Sequence, residues 1–144
     1  MKYKLTDETK VIGGTTLHRI KAIKTFGDVT EGDLGGWVET EYNLAQYGKS
    51  WVYGDAKVYG TARVSGSACV YGNARVYGNA RVVSNARVYG KAGVSGNASV
   101  YGNARVYGNA EVSGATWVAG DTIPKNSSSV AKQLKEKGIK LGIK

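Results

Sequence analysis

Valine stands at every sixth position from Val52 to Val118 without a miss. Two residues before each valine sits a small side chain: Ala at 56, 62, 68, 74, 80, 86, 92, 98, 104 and 110, with Ser50 and Thr116 at the ends. The cleanest units, at 70–75, 76–81 and 100–105, read V-Y-G-N-A-R. A strict internal period of this length outranks any local signal when a fold is inferred. In A-R-V-Y, strand alternation sends Ala and Val to one face and Arg and Tyr to the other. Gly and Asn tolerate positive φ best, so G-N reads as a corner. Four extended residues and a corner, taken three times, close a triangle of eighteen residues. Successive triangles stack by parallel pairing at about 4.8 Å.

Composition removes the competing classes. Glycine is abundant at 21 residues, but proline occurs once, which excludes collagen. Hydrophobic residues make up 42% and recur in phase, which argues against low-complexity disorder. One cysteine forms no internal disulfide and suits a reducing compartment. No signal-peptide pattern and no long apolar run is present, so the expectation is a cytoplasmic protein with no membrane association.

The net charge of +9 is uneven. Residues 1–50 balance seven basic against seven acidic side chains, residues 51–124 carry seven against three, and 125–144 carry six lysines against one glutamate. A basic surface favours anionic partners and also simply aids solubility.

The repeat resembles the left-handed parallel β-helix of hexapeptide-repeat proteins, whose pattern is an aliphatic residue with a small residue four places on. Val52 with Ala56 through Val112 with Thr116 obey it. Handedness is implied by the resemblance, since connections are ordinarily right-handed. The expected fold is all-β: about four triangular coils over 46–123, a small N-terminal β cap over 1–45, and a basic segment at 124–144. In the cap, 2–5 and 10–12 read as strand pieces, Gly13 and Gly14 as a hairpin turn, and Trp37, Val38 and Leu44 as a plug for the first coil. In the tail, Pro124 would stop the ladder. Ser127 to Ser129 would cap a short helix at about 130–137, with a final strand through Ile139, Leu141 and Ile143.

The stretch L-H-R-I-K-A-I-K-T-F-G-D-V at 17–29, then G-D-L-G-G-W-V at 32–38, then Y-G-N-A units, also resembles a group of small phage and prophage proteins. These are hexapeptide-repeat proteins with a shared N-terminal cap and mostly no assigned function. The resemblance implies an infected or lysogenic bacterial cell as the setting.

Many hexapeptide-repeat proteins are acyltransferases with a histidine base, and others are zinc enzymes with three histidine ligands. His18 is the single histidine and falls in the cap, not in a coil. No cofactor or metal is expected, and Cys69, Asp55, Glu111 and Asp121 form no catalytic set on this register. The expectation is therefore a non-enzymatic binder, with a virion accessory protein and an acyltransferase as alternatives.

Folding the repeat by eighteen assigns the outward positions. The first face carries Tyr53, Tyr71, Tyr89 and Tyr107 in one column, beside Trp51, Cys69, Arg87 and Arg105. That column is either a stacking platform with arginines for phosphates, or a stack that supports strands or a subunit interface. The interface reading is favoured, with a trimer as the expected homo-oligomer. Arg63, Arg75 and Arg81 join Arg87 and Arg105 on three different faces, which disfavours a nucleic-acid groove. The tail lysines Lys125, Lys132, Lys135, Lys137, Lys140 and Lys144 form the densest charge and read equally as a solvated cap. A host protein or a nucleotide-like anion is the expected partner, with a role in counter-defence.

Overall fold

The computed structural model describes residues 1–120 and 140–143. Its body is a parallel β-solenoid with three ladders, one per triangular face. The first face stacks Trp51–Val52, Cys69–Val70, Arg87–Val88 and Arg105–Val106. The second includes Lys57–Val58, Arg75–Val76, Gly93–Val94 and Glu111–Val112. The third includes Arg63–Val64, Arg81–Val82, Ser99–Tyr101 and Thr116–Ala119. Most rungs are two residues long, shorter than the four expected, because each corner claims the flanking Ala and Tyr. The Ala74 N–H, for example, bonds the Tyr71 carbonyl across a corner (3.4 Å).

The interior follows the hexad. Val52 through Val118 and Ala56 through Ala110, in their repeat slots, are at most 1% exposed. Burying each valine contributes roughly 1.5 kcal/mol relative to leaving it in water. Between coils the chain is held by backbone bonds, such as Arg87 N–H to the Ala104 carbonyl and Tyr89 N–H to the Val106 carbonyl, both 2.9 Å.

The solenoid has about five turns, which corrects the expected four. The strand Leu34–Val38, taken from sequence as part of the cap, pairs in parallel with Lys57–Val58, with Trp37 opposite Lys57. Leu44 likewise bridges Val64. Val38 and Leu44 fill valine slots at 0% exposure. They escape the six-residue count because the step from Leu44 to Val52 holds two extra residues, which makes the first turn twenty residues long. Asn43, fully buried, completes this irregular turn. Its Nδ2 donates to the Ala62 and Gly60 carbonyls (2.8 and 3.2 Å), and its Oδ1 accepts from the Thr40 and Glu39 N–H groups.

The N-terminal cap is a hairpin of β1 (Tyr3–Ile12) and β2 (Thr15–Ala22), turned at Gly13 and Gly14, both at positive φ. β2 pairs antiparallel with the Leu34–Val38 strand, so the hairpin extends the second face. At the other end, the backbone of Lys140–Ile143 pairs antiparallel with Thr116–Ala119. The expected stop at Pro124 and helix at 130–137 lie outside the described residues.

Candidate functional site

Parallel stacking makes columns of identical side chains, and the first face turns that into geometry. Tyr71 and Tyr89 stack with centroids 4.8 Å apart and planes 1° from parallel; Tyr89 and Tyr107 stack at 5.3 Å and 11°. Tyr53 breaks the series, meeting Tyr71 edge-on at 6.2 Å and 85°. The second face holds a further pair, Tyr59 on Tyr77, at 5.2 Å and 5°. Rings at the rung spacing stack with little adjustment.

Tyr53 turns where the column meets the cap, and there a cavity of about 450 Å³ opens, lined by Asp28, Tyr53, Cys69, Tyr71 and Arg87. Arg87 lies in register between Cys69 and Arg105, and Arg105 falls outside this lining. Asp28 comes from the loop after the hairpin, so no repeat register predicts it. Burial, reinforced by the Cys69 sulfur, raises the Tyr53 hydroxyl to about 12. Burial also pushes the Cys69 thiol up, against the opposing pull of Tyr53 and Arg87. The thiol therefore stays protonated at neutral pH, the wrong state for a nucleophile. The cavity offers one cation, one carboxylate and two phenol rings, a set suited to holding a flat polar molecule.

Trp51 does not belong to this surface, which corrects its assignment as a ligand contact. It is 1% exposed, covered by the cap, with edge-on contacts to Phe26 (5.3 Å) and Tyr3 (6.1 Å). Its slot points outward, but the hairpin closes over it. Of the tail lysines, Lys140 is placed only by its backbone, opposite Ala119. Lys125, Lys132, Lys135, Lys137 and Lys144 lie outside the described residues. His18 sits on β2 with Nδ1 3.2 Å from the Thr6 carbonyl. Among the described residues, no group of three or more His, Cys, Asp or Glu is placed to hold a metal ion, and no helix is long and apolar enough to cross a membrane.

Beside the cavity the cap buries a cation. Lys2 is 1% exposed, and its Nζ donates to the Ser50 carbonyl (2.7 Å) and Oγ (3.2 Å), with the Tyr47 and Gly48 carbonyls at 3.4 Å. The ammonium also lies 4.9 Å from the Phe26 ring centroid. Burial, with repulsion from Lys24 second, lowers Lys2 to about 8. Between that value and the ordinary 10.5, the unfolded chain binds the proton that the folded chain has released, so stability rises with pH. Cys69, Tyr3 and Tyr53 act oppositely, since burial raises all three; the unfolded chain loses their protons first, so the thiol begins to offset the rise near its ordinary value of 9.0 and the tyrosines lower stability above theirs of 10. Urea melts are expected to show a gain of ~1 kcal/mol from about pH 8 to 9, then an alkaline decline. In Lys2→Met the rise should vanish and the decline remain; an unchanged rise would assign it to another group.

A family model described as the YdcK beta-solenoid repeat matches residues 68–83, 74–90, 98–114 and 104–120. The chain is also similar to a protein of Escherichia coli (strain K12) named "Uncharacterized acetyltransferase YdcK", at 40% identity over 60 residues. That match covers 36% of this chain and 18% of the relative, so the chain spans less than a fifth of that protein's length. The family model is of a beta-solenoid repeat, in agreement with the fold.

Proposed function

We propose that the protein is a non-enzymatic binding module whose first face holds a flat, anionic, nucleotide-like ligand. The observation that carries this reading is the convergence of Tyr53, Tyr71 and Arg87 on one cavity at the cap junction. In it a ring packs against the Tyr53 and Tyr71 phenols, and a phosphate pairs with the Arg87 guanidinium on the side away from Asp28. In the phage setting implied by the sequence resemblance, sequestering such a ligand, or masking a host factor, inside the bacterial cell would serve counter-defence. Titration calorimetry of the whole chain with cyclic and linear adenine and guanine nucleotides tests this. Binding should weaken by about tenfold or more in Tyr71→Ala and in Arg87→Ala, as loss of one stacking or charge-assisted contact implies. No heat with any of these nucleotides would remove the reading.

Three other readings have their own tests. The half-buried column of Tyr71, Tyr89 and Tyr107 suits a subunit contact, with a trimer as the expected assembly, and light scattering decides it. Acyl transfer draws support from the name of the Escherichia coli relative. Its test is turnover with acetyl-CoA in the native chain and its loss in His18→Ala. A virion accessory role would place the protein in purified particles.

A further inference from the structure

Asp28 is the one lining residue of the cap-junction cavity that the solenoid faces do not supply. It sits at the tip of a tight turn. The Phe26 N–H donates to the Val29 carbonyl (2.9 Å), and the Val29 N–H donates to the Phe26 carbonyl (2.8 Å). Gly27, at a φ of +50°, completes the turn. Both ends are anchored in the core. Phe26 meets the buried Trp51 ring edge-on at 5.3 Å, and Val29 is 2% exposed. Backbone bonds and buried neighbours therefore fix Asp28 without help from its own side chain. The Asp28 carboxylate has neither a hydrogen bond nor an ion pair among the described residues.

The two charges of the cavity come from different levels. The turn that carries Asp28 is anchored on Trp51, and Arg87 stands two rungs beyond Trp51 on the same ladder, about 9.6 Å at the parallel-sheet spacing. Their effects on the phenols agree. Asp28 and Arg87 pull the Tyr53 hydroxyl in opposite senses, whereas of the two only Arg87 acts on Tyr71. A ligand that spans them needs adjacent hydrogen-bond donors at one end, an anion at the other, and a flat body against Tyr53 and Tyr71.

A carboxylate accepts only, through two oxygens side by side. Guanine has two adjacent donors on one edge, N1–H and the exocyclic amino group. Adenine and cytosine each place a ring acceptor beside the amino group, so one carboxylate oxygen would face a lone pair. Uracil offers a single N–H between two carbonyls. We infer that the cavity selects guanine nucleotides, with the Asp28 carboxylate accepting from guanine N1–H and the exocyclic amino group while the phosphate pairs with Arg87. This rests on the nucleotide reading of the cavity and adds the base and the residue that chooses it. The same carboxylate fixes the orientation, because a ligand turned end for end would bring its phosphate against Asp28.

Titration calorimetry of the whole chain with GMP, IMP and AMP tests the assignment. GMP is expected to bind about tenfold or more tighter than AMP, as two charge-assisted hydrogen bonds imply. IMP keeps N1–H and lacks the amino group, so its affinity should fall between the two. Asp28→Asn keeps the shape but presents one acceptor and one donor, the complement of the adenine edge. It should bind GMP about tenfold more weakly and AMP at least as tightly as the native chain does. Asp28 is exposed, so its thermal melt should be unchanged. Asp28→Ala should lose the preference for GMP with no gain for AMP. The inference falls alone, with the nucleotide reading left standing, if GMP and AMP bind the native chain within about twofold of each other, or if Asp28→Asn leaves their ratio unchanged. No binding of any of the three up to ~1 mM removes the nucleotide reading and this assignment together.

Discussion

Trp51→Ala is expected to lower the stability of the folded chain by ~3–5 kcal/mol, the range for removing a large aromatic side chain from a packed core. The indole is sealed between the first coil and the cap, touching Phe26 and Tyr3, and a Cβ added at Gly35 would come within 2.7 Å of it. Nothing nearby is free to collapse into the space. Tyr3 is tied by its hydroxyl to the Leu44 and Glu41 carbonyls (2.5 and 2.9 Å), and Lys2 is tied to Ser50. Denaturant melts give the size of the loss. Limited proteolysis of the 1–33 segment shows whether the cap loosens before the repeats. A loss below ~1.5 kcal/mol would mean that the cap repacks over the gap.

The second large effect is expected at Gly90→Ala. Its φ is +68°, where an L side chain costs ~1–2 kcal/mol. An added Cβ would also lie 2.8 Å from the Gly108 nitrogen and 3.2 Å from its oxygen on the next coil. Those are backbone atoms held by the ladder, so relief requires moving a rung, at a further ~1–3 kcal/mol. Gly54→Ala separates the two contributions: its φ is +56°, but an added Cβ meets nothing within 4 Å. It should show the conformational cost alone, and equal losses at both sites would refute the packing argument. Ser84, at φ 58°, shows that the corner tolerates a side chain at one coil.

The columns were legible because a period of eighteen maps sequence distance directly onto stacking. Tyr71, Tyr89 and Tyr107 could be placed in one line before any coordinate was known. The first turn was not legible, because two extra residues between Leu44 and Val52 shift Val38 and Leu44 out of phase while leaving their side chains in the core. Trp51 shows the opposite failure: its register is right, but register cannot say whether an outward slot faces water or a cap. Asp28 and Lys2 reach the first face from segments with no period at all.

The sequence by itself determined the interior and the order of the faces. A six-residue alternation of large and small apolar groups leaves few ways to bury both, and stacking then follows from backbone pairing. The tertiary structure alone decided where a surface becomes a site. The cavity forms where the pattern is interrupted, at the cap junction beside Tyr53. That interruption acquires shape, burial and shifted protonation only from residues far away in the chain.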